Sequence, residues 1–350
     1  MKSLVYSFIR RFPYYLMFGG LVSCFDLAGP NISGPGSIGK TIMVPIPDSV
    51  SATVDDSLGI DSMLYEQLTL HLVHNAPGPR WPVRTPHPSP GSLLPFKRIV
   101  AFYGNLYSTG MGILGELPPQ QMLQQLSIEV RNWEQADSLI PVQPALHYIA
   151  VTAQCNPGPG AKYRLRMPGT EIEKVLALAR QINAIVFLDI QVGHSTLQEE
   201  IPALEKYLLM PDVHLGIDPE YSMKYGQVPC TAIGTFDAAD INFASSWLAS
   251  LVEQRQLPPK ILVVHRFTQA MVTNYKAIKL HPEVQIVMNM DGFGSPAKKL
   301  DSYKGWIANQ PVQFAGFKLF YKNDVVTGKH LMQPSEVLKL YPSPIYIQYQ

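Results

Sequence analysis

Four short apolar runs in the second half of the chain each close on a residue able to move a proton or hold a charge. They are Ala184–Gln191 (AIVFLDIQ), Val213–Glu220 (VHLGIDPE), Ile261–Phe267 (ILVVHRF) and Gln285–Gly292 (QIVMNMDG). Side chains alternate between the two faces of a strand, so Phe187, Asp189 and Gln191 share one face, as do Val263, His265 and Phe267, and also Asn289 and Asp291. Asp218 and Glu220 share theirs if the strand geometry continues through Pro219. Lys318, in the run Phe314–Tyr321 (FAGFKLFY), and Tyr346 and Gln348, in Ile345–Tyr349 (IYIQY), extend the set.

Each residue alone has a structural explanation. Asp189 can cap the loop after its strand, and Asp218-Pro219 and Asp291-Gly292 are turn dipeptides. His265 can be a satisfied core histidine, and Lys318 a counter-ion. Together they place several charges at strand ends, where unpaired burial is costly and pairing tunes a site. Carboxylates dominate the set. Tyr103, Tyr107, Tyr221, Tyr225, Phe293 and Tyr321 stand close to them in sequence. Paired carboxylates beside aromatic platforms suit glycoside hydrolysis, in which one acid protonates the leaving oxygen and a second carboxylate attacks or activates water. The best pair is Glu220 as acid and Asp291 as nucleophile or base, with Asp218 and Asp189 shaping their ionisation. His265, Lys318, Tyr103, Tyr221, Gln348 and Glu116 are expected to bind substrate. A divalent metal site of Asp189, Asp218, His265 and Asp291 is the enzymatic alternative. Neither a His-x-His near the first strand nor a His-Glu-x-x-His helix supports it, and no cofactor or metal is expected. A Gly-x-Ser-x-Gly elbow is also absent, which argues against a serine hydrolase.

These residues need a scaffold that aims strand ends at one place. From residue 97 onward, apolar runs alternate with helical spacing. Strands are expected at Arg98–Tyr103, Ala145–Thr152, Ala184–Gln191, Val213–Asp218, Ile261–His265, Gln285–Met290, Phe314–Tyr321 and Ile345–Tyr349. Helices are expected at Gln120–Gln135, Glu171–Asn183 (capped by Thr170), Leu197–Leu209, Asp237–Gln254, Thr268–Lys279, Ser295–Ala308 and Pro334–Leu340. The loop GNLYSTGMGILGE, which carries Glu116, reads as a mobile active-site loop after the first strand. Near-continuous apolar strands are those of a parallel sheet covered on both faces. Eight of them with seven helical segments predict an α/β protein, a TIM-type (β/α)8 barrel lacking its last helix, in which all strand C-termini meet at one mouth. A doubly wound open sheet is the rival.

The 350 residues are 46% hydrophobic and 16% charged, with a net charge of +1. That supports a large core and offers no basic stripe for nucleic acid. Lys2, Arg10 and Arg11 precede a short apolar stretch, Phe12–Ser23, too short to span a bilayer. It ends in Leu21-Val22-Ser23-Cys24, which resembles a bacterial lipobox with lipid on Cys24. An ordinary cleaved signal peptide is the alternative. With Cys24 so used, Cys155 and Cys230 remain, either as one disulfide or as two separate thiols. The expected organisation is a signal peptide over 1–24, a Pro/Gly-rich tether with a short ordered segment over 25–96, and the barrel over 97–350.

The motifs FYGN…LGE, LDIQVG, GIDPE, VVHRFT, MDGFG, GFKLFY and YIQYQ, spread over roughly 97–350, resemble a family of exported bacterial proteins and lipoproteins. The resemblance implies a barrel similar to those of glycosidases. One departure stands out: strand seven carries Lys318 where a glutamate would complete a standard retaining pair. The functional expectation is a monomeric, surface-anchored hydrolase of cell-wall or extracellular polysaccharide, held to the envelope by lipid. The alternatives are a non-catalytic glycan-binding lipoprotein and a metal-dependent hydrolase.

Overall fold

The computed structural model describes residues 59–350. The expected signal segment, Cys24 and the first Pro/Gly stretch lie outside the described residues. Eight parallel strands form the centre: β1 (Arg98–Gly104), β2 (Val142–Ala153), β3 (Ile185–Ile190), β4 (Val213–Ile217), β5 (Lys260–Arg266), β6 (Val284–Met290), β7 (Phe314–Leu319) and β8 (Tyr346–Tyr349). Each pairs with its neighbours in chain order, and β1 pairs with both β2 and β8, which closes the ring. This is a (β/α)8 barrel. β1 and β3–β8 are buried along their whole length, which is why they read as continuous apolar runs rather than alternating ones.

Helices on the outside bury one stripe each. Pro119–Ala136 starts with Pro at its first turn and turns Met122, Leu123, Leu126 and Trp133 inward; the Trp133 indole donates to the Tyr349 hydroxyl at 3.0 Å. Ala238–Arg255 is opened by a capping box of Asp237 and Asp240, which satisfies two otherwise orphaned amides. Gln333 and Glu336 do the same for Pro334–Val337. Gly169–Arg180 starts ahead of Thr170, from Pro168, whose ring sets the entry angle without a side-chain cap.

One expected helix is absent. Residues 268–279 contain only the short strand Val272–Thr273, paired with Phe236–Asp237, and a 3-10 turn at Tyr275–Ala277. The reason is Arg266. Its guanidinium donates to the carbonyls of Thr268, Gln269 and Val272, which a helix would need as its own acceptors. Asn274 adopts a left-handed conformation, with its amide on Asp237.

The N-terminal ends of the strands are sealed. Leu68 and Leu72, from helix Ser62–His71 and its cap, and Leu94 join Ile99, Ala101, Ala145, Ile185, Phe187, Ile261 and Val263 in one apolar cluster. The Gln285 side chain both donates to and accepts from the backbone of Leu94. No helix among the described residues is long and apolar enough to cross a membrane.

Candidate active site at the barrel mouth

Above this apolar floor the interior turns polar. The strand register sets Tyr103 beside His147, Asp189 beside Gly216, His265 beside Asn289, and Lys318 beside Gln348. Side chains of alternate residues therefore point into the barrel as two stacked levels.

The lower level is a closed network. Asp189 receives the Tyr103 hydroxyl at 3.0 Å on one oxygen. Its other oxygen lies 3.2 Å from His147 Nε2 and 3.3 Å from His265 Nε2. His147 Nδ1 meets the Tyr346 hydroxyl at 2.6 Å. His265 Nδ1 lies 2.8 Å from Asp291, whose second oxygen is 2.8 Å from the Lys318 ammonium. That ammonium also sits 3.8 Å from the centre of the Tyr103 ring, in cation–π range. Gly216 makes the level possible: a Cβ there would stand 2.3 Å from Asp189 Oδ1 and 2.4 Å from His147 Nε2.

The upper level opens into a cavity of about 490 Å³. Asp218, Glu220, Asp291 and Lys318 line it, with Tyr103, Tyr221, Phe267, Phe293 and Phe320 as apolar walls. Asp218 directly follows β4 and caps the next turn: its carboxylate accepts the Glu220 amide at 3.0 Å, which starts the turn Pro219–Tyr221 and swings Glu220 to the cavity. The loop after β1 forms one rim. Asn105 donates to the Ile149 carbonyl, and Gln350 to that of Met111. Gly112, at φ +141, lies so close to Tyr103 that a Cβ would overlap its carbonyl at 2.2 Å. This loop is packed against the strand ends.

The two levels ionise differently. Burial pushes Glu220 up to about 8, and the fields of Asp218 and Asp291 add to the rise. Burial also lifts Asp218 to about 7, against the pull of His265. Burial opposes the charge of Asp189 too, but His265 and His147 hold it well below the usual carboxylate range. Burial opposes the charge of Asp291 as well, and Lys318 and His265 lower its pKa. Desolvation disfavours a charged His265, yet Asp189 and Asp291 raise it to about 10. Burial takes His147 down to about 4 despite Asp189. A mouth with protonated and ionised carboxyls side by side is the arrangement acid–base chemistry requires.

The structure brings Asp218, Glu220, Asp291, Lys318, Tyr103 and Tyr221 to one cavity. Asp189 and His265 lie one level lower, fully buried. Gln348 is also fully buried, bonded to the Tyr346 hydroxyl and to Asn289, so it supports the interior and does not face the cavity. Glu116 pairs with Lys322 at 2.7 Å outside the lining. Tyr321 is half-buried, bonded to Glu129 of helix Pro119–Ala136 and stacked on Tyr349. Tyr107 and Tyr225 are exposed. Cys155 is half-buried and Cys230 exposed. Sequence reasoning missed His147, as well as Phe320 and Lys299 of the cavity lining, and placed Phe267 on the face of His265 without giving it a role. His147 carries one usable signal: in ALHYIAVT it alternates with Ala145 and Ile149 on the interior face.

No family model matches the chain, and no curated protein matches it. Among solved structures, a ruminal GH26 endo-beta-1,4-mannanase aligns at 8% identity and a TM-score of 0.30, over 72% of this chain and 59% of that one. The chain thus spans less than two thirds of that enzyme's length. A likeness of this size carries no argument, and the barrel rests on its own strand ladder.

Proposed function

We propose that the mouth hydrolyses a glycosidic bond, with Glu220 as the general acid and Asp291 as the base or nucleophile. One observation carries the reading: a single aromatic-walled cavity is lined both by Glu220, whose carboxyl is pushed up to about 8 by burial, and by Asp291, ion-paired to Lys318. Tyr221 and Phe293 supply faces on which sugar rings pack. Lys318 holds Asp291 in place and does not complete a second acid. The substrate class is a polysaccharide of the cell wall or its surroundings.

The test is product formation from purified wall glycan and soluble polysaccharides. Glu220→Gln and Asp291→Asn are each expected to lose about 100-fold or more in turnover with an unchanged circular dichroism spectrum. Full activity in both variants sinks the assignment. Saturable binding with no product after long incubation replaces it with a binding role. Export, lipid on Cys24 and a Cys155–Cys230 bond belong to the same reading and are supported by sequence. Radiolabelled fatty acid should label the chain and fail to label Cys24→Ser, and a non-reduced digest should release the two cysteine peptides joined.

A further inference from the structure

Below the cavity floor, three strands bring two imidazoles and one carboxylate to a point. His147 on β2, Asp189 on β3 and His265 on β5 are all fully buried. Their donor atoms lie close enough together to hold one ion. Charge-assisted N–H···O pairs close to about 2.7–2.9 Å. Asp189 Oδ1 stands 3.2 and 3.3 Å from the two Nε2 atoms. His265 Nε2 is buried without an aligned hydrogen-bond partner. Donors at about 2.0–2.1 Å from a tetrahedral ion are separated by roughly 3.3–3.4 Å, so both spacings suit coordination better than a direct bond.

The groups behind the donors fit as well. Imidazoles that bind metal usually hold their other nitrogen on a fixed partner, and metal-bound carboxylates are themselves hydrogen-bonded. Here His147 Nδ1 meets the Tyr346 hydroxyl at 2.6 Å, and His265 Nδ1 meets Asp291 at 2.8 Å. The Tyr103 hydroxyl donates to the free oxygen of Asp189. Gly216 lets Asp189 Oδ1 and His147 Nε2 approach each other over its backbone, where a Cβ would overlap both.

We propose that His147, Asp189 and His265 form a binding site for a divalent first-row transition metal of zinc type. Two imidazoles and one carboxylate select such an ion over magnesium or calcium, which take oxygen donors. The site differs from the metal set expected from sequence: His147 enters it, and Asp218 and Asp291 do not. It also differs from the glycan-cleaving pair above it, since neither Glu220 nor Asp291 is a ligand.

The test uses the full chain, stripped with chelator and titrated with Co²⁺. Saturation near one equivalent, with a visible absorption band of histidine-bound cobalt that Zn²⁺ displaces, is expected. Asp189→Asn and His265→Gln should remove the band. His71→Ala, at a partly exposed histidine paired with Asp137 elsewhere, should keep it. The proposal is overturned if the wild type takes up no stoichiometric ion, if either ligand variant keeps the band, or if His71→Ala loses it. Should the ligand variants fail to fold, X-ray absorption of the wild-type zinc form decides. Scattering from two imidazoles supports the site, and sulfur or fewer imidazoles overturns it. None of these results depends on glycan turnover.

Discussion

At the scale of single residues, Glu220 and Asp218 govern how the molecule responds to pH. As an acid, Glu220 must carry its proton, so kcat/KM on a cleaved glycan should fall as pH rises through about 8. A profile flat to pH 10 contradicts that role. The same shifts set stability. Both carboxyls hold protons more tightly folded than unfolded. Their contribution is therefore complete below about pH 4 and is lost as pH rises through about 7 to 8. Glu220→Gln should melt near wild type at pH 5 and several degrees above it at pH 9, as read by thermal melts at both values. Gly216→Ala tests the opposite case. Its methyl would overlap Asp189 and His147, and overpacking of that kind costs about 1–3 kcal/mol, measurable as a lowered denaturant midpoint.

At the scale of elements, a salt-bridge clamp joins the segment after β2 to the helix after β3. Glu200, fully buried in helix Leu197–Ala203, accepts from Arg164 Nε and Arg166 Nε at 2.7 Å each, and from Ser195 Oγ at 2.5 Å. Glu200→Ala removes the Nε partner of both arginines, leaves largely buried Arg164 to its contact with exposed Glu199, and should lower stability by about 1–3 kcal/mol in urea titration. A loss under 0.5 kcal/mol would show that the clamp is ornamental. Elements like these explain what was legible in the sequence. The eight strands are readable because burial on both faces removes polar interruptions. Asp237 and Gln333 are readable as helix starts because capping uses local residues. Residues 268–279 mislead because Arg266, itself a strand residue, captures their carbonyls, and no periodicity encodes that. His147 escapes notice because a single imidazole in an apolar strand has no spacing partner: its neighbours in space, Asp189 and Tyr346, come from other strands. Gln348 misleads in the reverse sense. It points inward as expected, but one level too low to meet the cavity.

At the scale of the whole molecule, the segment before β1 belongs to the barrel's core. Trp81 donates to the Ala308 carbonyl, Ser89 to that of Pro282, and Leu94 is fully buried beneath the ring. Leu94→Ala should cost about 2–5 kcal/mol. Because that core is continuous, tryptophan fluorescence and far-ultraviolet circular dichroism should report one coincident unfolding transition. Two separated midpoints would show the segment to be an independent layer. The sealed floor also leaves the ring one open end: helix Ser62–His71 packs at the closed end, opposite the cavity. A long polymer lying across that opening would meet the cavity walls, while His147 and His265, fully buried beneath Tyr103 and Lys318, stay out of its reach.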